Sequence, residues 1–131
     1  MNIKLLHPAL VHFPIAFYFL ELVLLVLWTA KHDPAFRRFA LFSFRLGYFF
    51  MLLSMASGWL STGGWSGVTG DVPPHFYAAC AVFALYTVRG LHLRFARAAA
   101  DARPWVPLAG ALVGNALVTW TALLGGKLVY S

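Results

Sequence analysis

Residues 8–30 read PALVHFPIAFYFLELVLLVLWTA, and this stretch decides the class of fold. A helix needs roughly 20 predominantly apolar residues to cross a bilayer, and this run supplies them with a single acidic interruption, Glu21. The run is too long for a cleavable signal segment, and no small-x-small cleavage site precedes the charged residues after it. We therefore expect the first span to remain in the mature protein.

Three further apolar stretches follow, separated by charge, proline and glycine. The predicted spans are residues 8–30, 39–60, 74–93 and 105–124. Four crossings with short loops use roughly 110 residues. The sequence therefore predicts one membrane domain over residues 1–131, an all-α integral membrane protein built as a four-transmembrane-helix bundle.

The composition excludes several classes of protein. The chain is 61% hydrophobic and 11% charged, whereas soluble domains are about 25% charged. This composition excludes an ordinary soluble enzyme and a disordered tail. A nucleic-acid-binding module is also excluded, because the cations that give the +6 net charge lie between apolar runs and form no basic face. The single cysteine, Cys80, excludes a disulfide framework and a cysteine-based zinc site. The expected surroundings are a lipid bilayer.

Lysine and arginine predict the orientation. Each terminal segment holds one lysine, the loop over residues 61–74 holds no lysine or arginine, and the other two loops hold six cations. These six are Lys31, Arg37, Arg38, Arg94, Arg97 and Arg103. Short cytoplasmic loops carry the excess of positive charge. We therefore expect a multi-pass protein of the bacterial inner membrane, with both termini and the loop over residues 61–74 on the outer, periplasmic side.

Three histidines fall near the outer face in this topology: His7 and His12 in the first span and His75 in the third. His12 is roughly 7 Å deeper than His7 at 1.5 Å per residue, and His75 has a similar depth. The first and third spans run parallel, so their outer ends can meet. Two histidines facing each other across a bundle are what a b-type haem needs. The sequence predicts His12 and His75 as axial ligands, with His7 as a supporting or alternative ligand.

Small residues near the same end would leave room for a flat macrocycle; they are Gly58, Gly125 and Gly126. Copper is the alternative metal. Met51 and Met55 share a helix face, and Met55 has about the depth of His12. Because thioether and imidazole ligands together suit copper, Met55 joins the three histidines as a candidate ligand, and it is also an alternative haem ligand opposite a histidine.

Glu21 is the one acidic residue inside a predicted span. A charge at such depth costs roughly 2.5–3.5 kcal/mol on an insertion scale and normally pairs inside the bundle. Arg45 enters the second span to a similar depth, so we expect a buried Glu21–Arg45 ion pair. A proton-relay carboxylate is the functional alternative. Arg89 lies closer to the cytoplasmic edge, where its side chain can snorkel.

Residues 7–15 read HPALVHFPI. They resemble the opening motif of a family of short bacterial membrane proteins, domain-of-unknown-function family 2231, which reads His-Pro-x-x-Val-His-Phe-Pro-Ile. Glu21, Gly58 and His75 also fit the pattern of that family. The resemblance implies a four-span fold without an established activity. Some members of the family resemble fusions to Rieske-type iron–sulfur domains, which implies a redox setting. It also implies that His7, His12 and His75 are the residues of interest.

The leading hypothesis from the sequence is a small membrane electron-transfer subunit with one b-type haem near the periplasmic face. It would link the quinone pool or a redox complex to a periplasmic carrier, so its partner would be a separate membrane or periplasmic redox protein. One alternative is a non-redox structural or assembly subunit of a membrane complex, and another is a copper-binding membrane protein. The sequence favours a redox or accessory subunit over a stand-alone enzyme and leaves oligomerisation open.

Overall fold

The apolar stretches form long helices in the computed structural model, which describes residues 3–130 and the side chains from Leu5 onward. The helices are α1 (Ile3–Leu10), α2 (His12–Lys31), α3 (Pro34–Thr62), α4 (Val72–Phe95), α5 (Arg97–Ala102) and α6 (Trp105–Tyr130), and a short 3-10 helix covers Gly64–Gly67. Residues 3–130 contain no strand. The predicted all-helical fold is therefore confirmed. The side chain of Lys4, the lysine of the N-terminal segment, lies outside the described part.

Four helical segments are long and apolar enough to cross a membrane: Leu5–Lys31, Pro34–Thr62, Val72–Phe95 and Trp105–Tyr130. Each contains one predicted span and extends beyond it, because a helix ends at a cap and not at the last apolar residue. At the start of α3, the Asp33 carboxylate accepts a hydrogen bond from the Ala35 amide at 2.8 Å. At its end, Gly63 adopts a left-handed conformation with φ 73°, which glycine allows without steric cost.

The first span is built from two helices that meet at Val11. Val11 keeps helical dihedral angles, φ −65° and ψ −20°, so the chain direction continues across the junction. The hydrogen bond from the Ile15 amide to the Val11 carbonyl is long, 3.5 Å. Pro14 lacks the amide hydrogen that the Leu10 carbonyl would otherwise accept. The proline therefore accounts for the weakened turn just after the two histidines.

Helices that follow each other in the bundle run antiparallel. The Ser43 hydroxyl of α3 donates to the Phe17 carbonyl of α2 at 2.6 Å, and His75 near the start of α4 contacts the Thr121 carbonyl near the end of α6. Helix α2 packs along α3 and α6, and α4 packs along α6. This arrangement places α2 and α4 parallel and diagonally opposite each other.

The bundle has two chemically different ends. We call one the histidine end; it holds His7, Gly58, His75 and Gly125, and both termini of the described chain lie there. We call the other the basic end; it holds the connections over residues 32–33 and 96–104.

The centre of the bundle is an aromatic stack across the diagonal. The rings of Tyr18 (α2) and Tyr86 (α4) are 3.7 Å apart between centroids, with planes 19° apart, and both side chains are fully buried. Glycines supply the space. A Cβ at Gly47 would lie 2.7 Å from the Tyr18 ring, and one at Gly114 would lie 2.5 Å from the Tyr86 hydroxyl. The stack fixes how α2 and α4 face each other.

Polarity is arranged as a membrane environment requires. Large apolar side chains such as Phe19, Phe42 and Val113 are exposed on the outside. Polar side chains are buried inside, and they are Glu21, Arg37, Ser43, Ser54, Ser57 and Arg89. Because lipid cannot satisfy hydrogen bonds, polar groups in a membrane-spanning bundle belong in its interior.

Candidate functional site

His7 reaches from α1 to α3 at the histidine end. Its Nδ1 lies 2.8 Å from the Ser54 carbonyl oxygen and 3.3 Å from the Ser57 hydroxyl. A carbonyl can only accept a hydrogen bond, so Nδ1 is the protonated nitrogen and donates. In the neutral imidazole, this leaves Nε2 with a free lone pair.

His75 repeats this arrangement on the other side of the bundle. It lies near the start of α4, and its Nδ1 donates to the Thr121 carbonyl of α6 at 3.0 Å. The same argument assigns the free lone pair to Nε2 of His75. Metal-binding histidines typically donate their other ring nitrogen to a carbonyl or carboxylate, which fixes the tautomer and the ring orientation.

The imidazole rings of His7 and His75 are direct neighbours. Their centroids are 6.1 Å apart and their planes are inclined by 73°. Two metal–imidazole bonds of about 2 Å place the bound nitrogens about 4 Å apart. Each ring nitrogen lies about 1 Å from its ring centre, so two imidazoles on opposite sides of one metal ion have centroids about 6 Å apart. The observed separation of His7 and His75 matches that spacing.

Two glycines lie directly against the imidazole rings. A Cβ at Gly58 would lie 3.0 Å from Cε1 of His7, and a Cβ at Gly125 would lie 2.8 Å from Cε1 of His75. Both distances are shorter than ordinary contacts, so any larger residue would push the ring away. Gly126 has no atom within 4 Å of such a Cβ. Of the three glycines singled out in the sequence, Gly58 and Gly125 line the histidine pair.

The predicted pairing of His12 with His75 is wrong in geometry, because His7 is the histidine of the first span that meets His75. The imidazole of His12 is exposed, and its Nδ1 bonds to the Pro8 carbonyl at 2.7 Å within the same span. Five residues along a helix turn the side chain by about 500°, or about 140° net. Two histidines at this spacing therefore point to different sides of the helix.

A family model for a predicted membrane protein, DUF2231, matches residues 4–131. The chain belongs to the DUF2231 family. No curated protein and no solved structure matches it. The family assignment and the four apolar helices together make the chain a multi-pass membrane protein.

Met51 and Met55 of this DUF2231 chain have contacts within the core. Met51 is buried, and its sulfur accepts a hydrogen bond from the Tyr18 hydroxyl at 3.4 Å. Met55 is partly buried and packs against the same apolar cluster. Within residues 3–130, no group of three or more His, Cys, Asp or Glu side chains is arranged to hold a metal ion. Within the described residues, the histidine site therefore offers two imidazoles, those of His7 and His75, as ligands.

Glu21 is fully buried, as expected, but its partner is Arg89 and not Arg45. The Arg89 guanidinium binds both carboxylate oxygens, at 2.5 Å and 3.1 Å. It also lies 5.3 Å from the Phe44 ring centroid and 5.1 Å from that of Tyr86. The expectation that Arg89 snorkels to the interface is likewise wrong, because Arg89 faces the bundle interior and is 7% exposed.

The error arises from helix phase. Glu21 and Arg45 are at similar depth on adjacent helices, but Arg45 lies on the outer surface of α3 and is exposed. Arg89 lies on α4, diagonally across from Glu21, three residues beyond the central Tyr86. Depth in the membrane therefore predicted the level of the arginine that pairs with Glu21, but not the helix face on which it lies.

A second ion pair, between the buried Arg37 and the exposed Asp101, lies nearer the basic end. Nε of Arg37 donates to the Asp101 carboxylate at 2.5 Å. A small cavity between this pair and Glu21 has room for about one water molecule. The buried Nη2 of Arg37 has no hydrogen-bond partner among the described residues. The interior therefore carries polar groups from the basic end to its centre.

Proposed function

We propose that this protein is a small membrane electron-transfer subunit that holds one b-type haem between His7 and His75. The observation that carries the proposal is the histidine pair. Two imidazoles from different helices lie 6.1 Å apart between centroids, and each has its Nδ1 committed to a backbone carbonyl. The Nε2 lone pairs are the atoms that would bind the iron, and the carbonyls of Ser54 and Thr121 would hold the rings in place.

The donor set fits haem better than a bare metal ion. Two imidazoles alone leave an iron ion without most of its ligands, and a porphyrin supplies the other four nitrogens. Haem iron supplies one-electron chemistry when bound. The residues of the chain supply the axial ligands, and Gly58 and Gly125 give the rings the space they occupy. This proposal keeps His75 from the sequence prediction and replaces His12 with His7.

The alternative function is structural. The bonds from His7 to α3 and from His75 to α6 tie helix ends together without any cofactor. A copper protein is the other alternative, with Met55 as a further ligand. Both alternatives predict a purified protein without haem, so one preparation separates the three.

The protein purified in mild detergent tests the proposal through its reduced-minus-oxidised absorption spectrum and its metal content. We expect a Soret band with sharp α and β bands, and about one iron per chain, since two axial imidazoles hold one iron. Copper without haem would support the copper protein. A preparation with neither, from cells supplied with iron and haem precursor, would support the structural subunit.

Gly125 and Gly126 offer a matched pair of variants. Alanine at position 125 would place Cβ 2.8 Å from the His75 ring. Overpacking of this kind costs about 1–3 kcal/mol, so Gly125→Ala should weaken haem retention by between about fivefold and about a hundredfold. Gly126→Ala meets open space and should retain haem as the wild type does. Haem titration of both variants measures the difference, and equal retention would argue against the ring contact.

We further propose that the histidine end faces the periplasm of a bacterial inner membrane, because the basic end carries the excess of lysine and arginine. Electrons would then pass between a membrane quinol or redox complex and a periplasmic carrier. Single cysteines at positions 66 and 99, in a chain with Cys80 replaced, test the orientation in intact cells. We expect an impermeant thiol reagent to label position 66 and not position 99. The opposite pattern would reverse the topology.

A further inference from the structure

Arg45 stands at membrane depth on the outside of the bundle. It is exposed and lies 11 residues after the start of α3 at Pro34, or about 16 Å along the helix axis. Ionisable side chains within membrane spans almost always face the interior or find a partner, because leaving them among lipid tails is costly. Arg45 therefore calls for a partner outside the chain.

No acidic side chain among residues 5–130 pairs with Arg45. The chain has four acidic residues in all. Glu21 and Asp101 are each paired with a buried arginine, Asp33 accepts a hydrogen bond from the backbone at the start of α3, and Asp71 precedes α4 near the histidine end. A second copy of the chain holds the same four groups in the same places. Asp33 and Asp71 precede α3 and α4, so they lie at the ends of the helices and not at the depth of Arg45. A partner that brings its own negative charge to that depth is therefore favoured.

Arg38 extends the same surface towards the basic end. It is exposed, and seven residues, or two helical turns, place it about 10 Å from Arg45 on the same face. Phe42 lies between them and Phe49 lies one turn beyond, and these rings are 60% and 55% exposed. Side chains of a helix lean towards its N-terminus, so the Arg45 guanidinium reaches back from the apolar region towards the basic end.

We infer that Arg45 binds the phosphate of an anionic phospholipid in the leaflet at the basic end, and that Arg38 adds positive charge at the level of the headgroups. The guanidinium fork matches phosphate oxygens in charge and geometry, and Phe42 and Phe49 contact the acyl chains below the headgroup. The site is independent of the histidine pair, which lies at the opposite end of the bundle.

Native mass spectrometry of the delipidated protein tests this site, with phosphatidylglycerol and phosphatidylcholine of identical acyl chains as the added lipids. The wild type should retain phosphatidylglycerol preferentially. Any arginine near an anionic surface contributes about a fivefold change in binding, whereas a hydrogen bond from a guanidinium to a charged phosphate contributes about a tenfold change or more. Arg45→Gln should therefore reduce the retained fraction by at least about tenfold, more than the loss of one surface charge alone. Arg45→Lys should fall between the two, because it keeps the charge and loses the fork. Arg103→Gln is the matched control, with an exposed arginine at the same end.

Three outcomes would overturn the inference. Equal retention of the two lipids would remove the preference for an anionic headgroup. Equal losses in Arg45→Gln and Arg103→Gln would reduce the effect to general surface charge. Crosslinking of position 45 in membranes to the carboxylate of another protein, with phosphatidylglycerol retention unaffected by Arg45→Gln, would assign the surface to a protein partner.

Discussion

Replacing Glu21 with alanine should lower the free energy of unfolding by about 3–5 kcal/mol, the usual cost of removing one partner from a buried ion pair. The substitution leaves the Arg89 guanidinium buried beside Phe44 and Tyr86. Its remaining hydrogen-bond partner within the described part of the chain is the Pro107 carbonyl, at 3.5 Å. Arg89→Ala should cost a similar amount, because it strands the carboxylate. Denaturant unfolding in detergent, followed by circular dichroism, measures the change.

Arg45→Ala is the informative control. Arg45 is exposed and lies on the adjacent helix within about one turn of the level of Glu21. Exposed substitutions usually change stability by less than about 0.5 kcal/mol. The double variant Glu21→Leu with Arg89→Met removes both charges and should recover much of the loss. If Glu21→Ala were no less stable than Arg45→Ala, the buried Glu21–Arg89 pair would be refuted.

The second large effect concerns the cofactor. His7→Ala and His75→Ala should each abolish or strongly shift the haem spectrum, since each removes one of the two axial ligands. His12→Ala should leave the spectrum intact, because the His12 ring is exposed and bonded within its own span. All three variants replace a histidine by alanine at the same end of the bundle. A difference between their spectra therefore identifies which histidines bind the iron.

One further measurement distinguishes histidines that bind iron from histidines that only join helices. Alanine at position 7 leaves space where the imidazole stood, and added free imidazole can bind an iron that has lost its protein ligand. We expect imidazole to restore the wild-type bands in His7→Ala and His75→Ala. Restoration in neither variant, with folding intact by circular dichroism, would favour histidines that only join helices.

The membrane-spanning helices could be predicted from the sequence because long apolar stretches identify them. The interior face was also encoded, in spacings of three and four residues. In the first span the buried residues are Pro14, Tyr18, Glu21 and Leu25, and continuing their spacing towards the N-terminus reaches His7 and passes over His12. In α4 the buried Val82, Tyr86 and Arg89 lead back in the same way to His75.

The Glu21–Arg45 prediction used depth and ignored this spacing. The buried face of α3 includes Phe44 and Gly47, and Arg45 falls outside it, so phase alone would have excluded Arg45. The choice of Arg89 required more than phase. It depends on α4 lying diagonally across from α2, and that arrangement follows from how the helices pack at Gly47 and Gly114 around the two tyrosines. Such packing is a property of the assembled bundle.

Low-temperature electron paramagnetic resonance of the oxidised protein tests the central claim most directly, because it reports the ligands of the iron. Two imidazoles with planes inclined by 73° predict a strongly anisotropic low-spin ferric signal in the wild type. The same signal should persist in His12→Ala and give way to a high-spin signal in His7→Ala. A wild-type protein without a low-spin haem signal, or one whose signal survives in His7→Ala and disappears in His12→Ala, would contradict the assignment of His7 and His75.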